Sequence, residues 1–165
     1  MKKIDWTLNL ILYSVALPLL WLSGVFLPLL VLTIPLFILA EVFNMILQYR
    51  CWDALTASQR RTTPGKAVGF LFIPFYNFYW VFVSYRGLAF DLGRATAKPD
   101  AGGIGTAMAI LFICHWVFFI VPVLNALVDI AYFILWILFT RQVVAQANSL
   151  LSAATTLPPL IAHAA

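Results

Sequence analysis

Three side chains in this chain combine titratable chemistry with apolar surroundings: Glu41, His115 and Asp129. Glu41 lies nine residues before Arg50, about 13 Å along a helix rising 1.5 Å per residue. His115 lies eleven residues past Ile104, about 16 Å on the same measure. Asp129 lies twelve residues before Arg141, about 18 Å away. Asn44 follows Glu41 by three positions and Asn125 precedes Asp129 by four, so a helix places an amide on the face of each acid. A charge at the centre of a bilayer costs at least about 2.5–3.5 kcal/mol, which turns such residues towards the interior of a bundle. The set predicts a polar track of Glu41, Asn44, His115, Asn125 and Asp129 that binds a cation or passes protons. Imidazole suits a relay because it titrates near neutral pH unaided. The same residues also suit a plainer role as glue between helices, worth about 0.6 kcal/mol per polar contact.

The elements that position these groups follow from composition. Of 165 residues, 64% are hydrophobic and only 10% are charged, with a mean hydropathy of +0.98. A soluble domain carries about 25% charged residues. Residues 6–40, 67–85 and 101–128 form uncharged runs of 35, 19 and 28 residues. About 20 apolar residues cross a bilayer as a helix, so an all-α, polytopic membrane bundle is expected, as one membrane domain. Helices are expected at about 6–21, 26–50, 104–121 and 123–141, with a broken segment at 67–85 and a tail at 142–165. Ser23 and Gly24 mark the first reversal. A short surface helix is expected over residues 53–61, stopping at Thr63-Pro64-Gly65, and the tail is expected to begin as a continuing helix, break at Pro158-Pro159 and lie along the membrane surface. Lys2 and Lys3 before an apolar run resemble a secretory signal, but no small-residue cleavage site follows, so the run reads as a retained helix.

The segment at 67–85 is long enough to cross once, yet its centre is Ile73-Pro74-Phe75-Tyr76-Asn77. Pro74 removes a backbone donor and clashes with the preceding turn. Asn77 can bond the groups so freed, and broken backbone survives at membrane depth only beside protein or a wet cavity. If the segment crosses, the ten Lys and Arg divide six to four between the two sides. If it dips in and returns, all ten lie on one side, as the positive-inside bias favours. Four transmembrane helices plus a re-entrant hairpin are therefore expected, with five transmembrane helices as the alternative.

The stretch at 63–89 resembles the uncharacterised bacterial polytopic proteins grouped as domain of unknown function 4328. There, a Pro-Gly-x-Ala-Val-Gly run leads into a Pro-x-x-Asn element after a basic loop. Here the matching residues are Pro64, Gly65, Ala67, Val68, Gly69, Pro74 and Asn77. The aromatic run Phe75-Tyr76-Asn77-Phe78-Tyr79-Trp80 departs from the small residues seen in many of those proteins. The resemblance implies the architecture, a helical hairpin on each side of the motif, and implies no activity.

Arg60, Arg61, Lys66, Arg86, Arg94 and Lys98 read as a basic cytoplasmic skirt that fixes topology and attracts anionic lipid, at about 1 kcal/mol per residue. Arg86 is also a candidate partner for Glu41. The aromatic cluster at 70–80 reads as an interfacial belt. No H-E-x-x-H, G-x-S-x-G, Walker or dinucleotide motif occurs. Cys114 and His115 are adjacent and so point in different directions from a helix. The expectation is a non-enzymatic protein of the bacterial inner membrane, with cytoplasmic termini and neither cofactor nor metal. Its partners are the bilayer and further copies or a larger membrane protein, and no nucleic acid. Its first reading is a structural or accessory subunit. The alternative is a small channel or transporter passing protons or cations along the track.

Overall fold

A computed structural model describes residues 3–23, 26–99, 102–118 and 120–156, and every regular element among them is helical. The chain forms α1 (Thr7–Ser23), α2 (Leu30–Asp53), α3 (Pro64–Gly69), α4 (Tyr76–Val81), α5 (Gly87–Thr96), α6 (Gly102–Phe118) and α7 (Pro122–Thr156). Asp5 starts α1 by accepting the Thr7 hydroxyl at 2.6 Å and the Thr7 N–H at 2.9 Å. Those bonds hold its carboxyl below the usual carboxylate range. A 3₁₀ turn, Leu27–Leu29, leads into α2. Gly24, expected at the reversal, and Pro158-Pro159, expected to break the tail, lie outside the described residues.

Two helical stretches, Leu27–Asp53 and Pro122–Thr155, are long and apolar enough to cross a membrane, while Thr7–Ser23 and Gly102–Phe118 are apolar but shorter. Sidedness in α2 is inverted relative to a water-soluble helix. Val31, Leu32, Ile34, Ile38 and Val42 are exposed, whereas Thr33, Asn44 and Gln48 are buried. Exposed apolar surface on this scale is stable against lipid rather than water, and polar side chains turned inward can bond between helices. Gln48 donates to the Ser84 hydroxyl at 2.7 Å, and Trp136 donates to the Asn44 carbonyl oxygen at 3.1 Å.

The segment at 67–85 breaks where Pro74 predicts and then reverses. α3 and a 3₁₀ turn, Phe70–Phe72, form one arm; α4, a π-helical stretch Phe82–Arg86 and α5 form the other. The Trp80 indole donates to the Ala67 carbonyl at 3.0 Å; in an unbroken helix those residues would be about 20 Å apart. At the tip, Tyr76 N–H bonds the Pro74 carbonyl at 2.7 Å. This two-residue reach closes a γ-turn around Phe75, at φ 63° and ψ −38°, a conformation rare and strained for a side-chain-bearing residue. Phe70 of the first arm meets Tyr76 and Trp80 of the second edge-on, at 5.8 and 4.9 Å. The aromatic cluster expected to form a belt thus closes the hairpin, leaving Phe72 and Phe75 exposed at its tip.

Two further expectations are corrected. Residues 53–61 form no surface helix beyond the end of α2. Thr56 and Gln59 close a single turn, and Arg61 is drawn away to Asp91 on α5. Thr63-Pro64-Gly65 starts a helix instead of stopping one. The Thr63 hydroxyl accepts from Lys66 N–H at 3.3 Å, and Pro64 occupies the first turn, where its missing donor costs nothing. The tail begins, as expected, by continuing the preceding helix, and α7 runs unbroken to Thr156. Gln142 and Gln146 donate to the Pro99 carbonyl at 2.8 and 2.9 Å, and Asn148 exchanges two bonds with the Ile4 backbone.

Candidate functional site

One cavity of about 370 Å³ brings together Glu41 from α2, Asn77 from α4, His115 from α6 and Asp129 from α7. His115 Nδ1 and Asp129 Oδ1 share a hydrogen bond of 2.7 Å. Asn125, one turn earlier on α7, donates to the other Asp129 oxygen at 3.2 Å. Glu41 accepts from the Tyr13 hydroxyl at 2.6 Å; Arg86, the partner considered for it, is exposed on the second arm. α6 stops at Phe118, which places His115 in its last turn, nearer the α6–α7 reversal than a helix to residue 121 would. Pro122 opening α7 sets that limit, because the residue before a proline avoids helical angles.

Asn44 stays beside Glu41 but does not line this cavity. It lines a neighbouring void of about 10 Å³, no roomier than a single water at best. Its amide NH₂ reaches the Tyr85 hydroxyl at 3.5 Å while its oxygen accepts from Trp136. Together with Gln48 and Ser84 these groups form a hydrogen-bonded layer between the cavity and the end of the bundle that carries Arg50 and Arg141. The π-helical stretch matters here, for it supplies both Ser84 and Tyr85. Asn77 Oδ1 is buried with no protein donor, a condition a bound ligand or water relieves. Pro74 lies beyond the cavity wall, at the hairpin tip, where it re-aims the chain so that Asn77 enters α4 facing inward.

No family model, curated protein or solved structure matches the chain.

The basic residues occupy the opposite end of the site from the α6–α7 reversal. Arg61 forms a two-nitrogen clamp on Asp91, at 2.7–3.1 Å, and its backbone N–H donates at 2.9 Å. This carboxylate, 3% exposed, pushes the guanidinium pKa further up. The Arg61 stem crosses Gly87, where an added Cβ would come within 3.1 Å of its Cδ. Arg94 lies over the Phe90 ring at 5.0 Å, and Arg60 approaches Asp53 at only 3.9 Å. Lys66, Arg86 and Lys98 are exposed. Of the expected skirt, Arg61 is a structural clamp, and its partner Asp91 carried no signal beyond being an acid in a polar stretch. Tyr13, Tyr85 and Tyr132, which line the cavity beside the acids, were also unmarked in the sequence, since a tyrosine in an apolar helix reads equally as an interfacial anchor.

Proposed function

We propose that this chain is a non-enzymatic, multi-pass protein of the bacterial inner membrane that binds protons or small cations at the bundle cavity and passes them across. The observation that carries this is the convergence of Glu41, His115 and Asp129, from three different helices, on one partly open cavity. Interhelical glue does not require its acids to face empty space. In this reading α1, α2, α6 and α7 span the bilayer and the hairpin at 64–96 is re-entrant. From Arg86 to the tip at Phe75 is about 16 Å, roughly half of a 30 Å hydrocarbon core. The termini lie with the basic residues on the cytoplasmic side. The likeness of residues 63–89 to the domain of unknown function 4328 proteins supports the same architecture.

The layer of Asn44, Gln48, Ser84 and Tyr85 closes the cavity towards the basic end. Its Ser84 and Tyr85 hydroxyls can hand on a proton, whereas a hydrated ion requires the layer to part. The test is flux from proteoliposomes under an imposed gradient. Wild type is expected to conduct, and Asp129→Asn and Glu41→Gln to abolish conduction while eluting as folded protein. Absence of flux in wild type, or flux indifferent to both substitutions, overturns the role.

A second reading, a structural or accessory subunit working as an oligomer or on a larger membrane partner, is favoured by the buried Gln48–Ser84 and Asn44–Trp136 bonds, which fix the helices without any ligand. It predicts that crosslinking in native membranes recovers one stoichiometric partner.

A further inference from the structure

A second opening reaches the same acids from the side. α1 and α7 meet where Asn148 clamps Ile4 and where the Tyr13 and Trp136 rings lie 4.6 Å apart. Beyond Tyr13 a groove of about 340 Å³ lies between them, lined by Ser14, Pro18 and Trp21 on one side and Asp129 and Ile130 on the other. Trp21 and Ile130 are exposed, so the groove opens on the apolar flank of the bundle. Tyr13, Leu17, Asp129 and Phe133 wall both volumes. Asp129 thus stands where the groove meets the cavity.

The cavity's chemistry is unlike that of a hydrated-ion site. Its walls are largely aliphatic and aromatic, with Leu20, Phe37, Phe112 and Phe133 among them. Among the described residues no Lys or Arg lines it, while two carboxyl groups do. The volume falls in the range of about 300–1,000 Å³ usual for small-molecule pockets. Apolar walls hold an apolar body; a carboxylate in low dielectric is stabilised by an opposite charge; aromatic faces attract a cation, and the Trp116 ring in the lining is exposed. We propose that the cavity is a binding site for lipophilic cations, molecules with an apolar body and a delocalised or quaternary positive charge, which enter from the bilayer through the α1–α7 groove and settle against Asp129 and Glu41. The site rests on the cation-binding part of the role proposed above, independently of conduction, and names its ligand class.

The experiment uses the full chain in lipid nanodiscs, with tetraphenylphosphonium as the probe and tryptophan quenching as the readout, because Trp116 and Trp136 line the cavity. Wild type is expected to show saturable quenching. Neutral triphenylphosphine oxide, of similar shape, is expected neither to saturate nor to compete, a comparison that needs no variant. Asp129→Asn, or Glu41→Gln if the first fails to fold, is expected to weaken Kd at least roughly tenfold. Ser14→Trp, which narrows the groove, is expected to slow association by about tenfold. Equal binding of the neutral compound, or an affinity indifferent to both acids, overturns the site, and unchanged association in Ser14→Trp overturns the lateral entry. If tetraphenylphosphonium does not bind but acid-dependent proton flux persists, this site fails while the conducting role stands. If the probe binds through Asp129 and no flux occurs, the site stands and the conducting role falls.

Discussion

Buried carboxyl oxygens are stable only where donors meet them, and the acids of this bundle are met in three ways. Asp129 takes His115 on one oxygen and Asn125 on the other; Glu41 takes the Tyr13 hydroxyl; Asp91 takes the Arg61 clamp. Removing a donor is therefore more costly than removing a charge. Tyr13→Phe leaves Glu41 without its 2.6 Å partner, and the expected cost is about 1–3 kcal/mol, read as a lower Tm in detergent. Glu41→Gln keeps an acceptor for Tyr13 and should melt within about 1 kcal/mol of wild type, which lets stability and conduction be separated. Arg61→Ala strands a buried carboxylate and should cost about 3 kcal/mol. Arg60→Ala, whose contact with Asp53 is long and partly exposed, should cost under about 1 kcal/mol. Equal melting of the two arginine variants would show that Arg61 is as dispensable as its neighbour. Glu41, His115 and Asp129 were legible in the sequence because a titratable group in an apolar run is costly wherever it lands. Their partners were not, because a tyrosine or a loop acid is unremarkable until the fold sets it opposite something.

At the scale of elements, the hairpin at 64–96 carries the strain. Phe75 holds a positive φ that ordinary residues reach only at a cost of about 1–3 kcal/mol, and its ring is 85% exposed, so few contacts repay that cost. Phe75→Gly relieves the backbone and gives up little burial, and is expected to melt at or above wild type. Phe75→Val places a β-branched residue at the same φ and is expected to melt below it. The reverse order would mean that the ring stabilises the tip more than its backbone strains it. The second arm is seated by close approach, since a Cβ at Gly105 of α6 would lie 3.0 Å from the Arg86 backbone. Gly105→Val should cost about 1–3 kcal/mol, and if α6 shifts, the Phe78–Phe112 contact at 6.1 Å is lost with it. Pro74 disclosed the break, since a missing donor is a local property. The reversal was expected from charge counting, since a dip and return keeps all ten Lys and Arg on one side; the bond that closes it, from Trp80 to the Ala67 carbonyl, was not disclosed. The failed surface helix over residues 53–61 has the same origin: its residues tolerate a helix, but a tertiary bond from Arg61 to Asp91 outweighs local propensity.

At the scale of the molecule, the pairings place the charges at one end. Arg61 bonds Asp91 at the middle of α5, Gln142 and Gln146 hold Pro99, and Asn148 holds Ile4, the residue after Lys3. Leu47 and Cys51, Leu88, and Phe139 and Val143 surround one small void, which sets Arg50, Arg86 and Arg141 at a common level. The two long reversals, between α1 and α2 and between α6 and α7, lie at the other end and carry exposed apolar residues such as Leu27, Ile120 and Val123. Under the proposed topology the basic end faces the cytoplasm, and the folded-back hairpin returns the chain to the side it left. This yields a prediction of sidedness. In a Cys51→Ser, Cys114→Ala background, a membrane-impermeant thiol reagent applied to intact cells should spare Lys98→Cys and label Ile120→Cys, with Lys98→Cys becoming reactive after lysis. Labelling of Lys98→Cys from outside would place α5 and Arg94 across the membrane from Arg61. The clamp between Arg61 and Asp91 would then have to break, and five spans would replace four with a hairpin. Because that clamp fixes both residues on one face, the labelling and the melting of Arg61→Ala must agree.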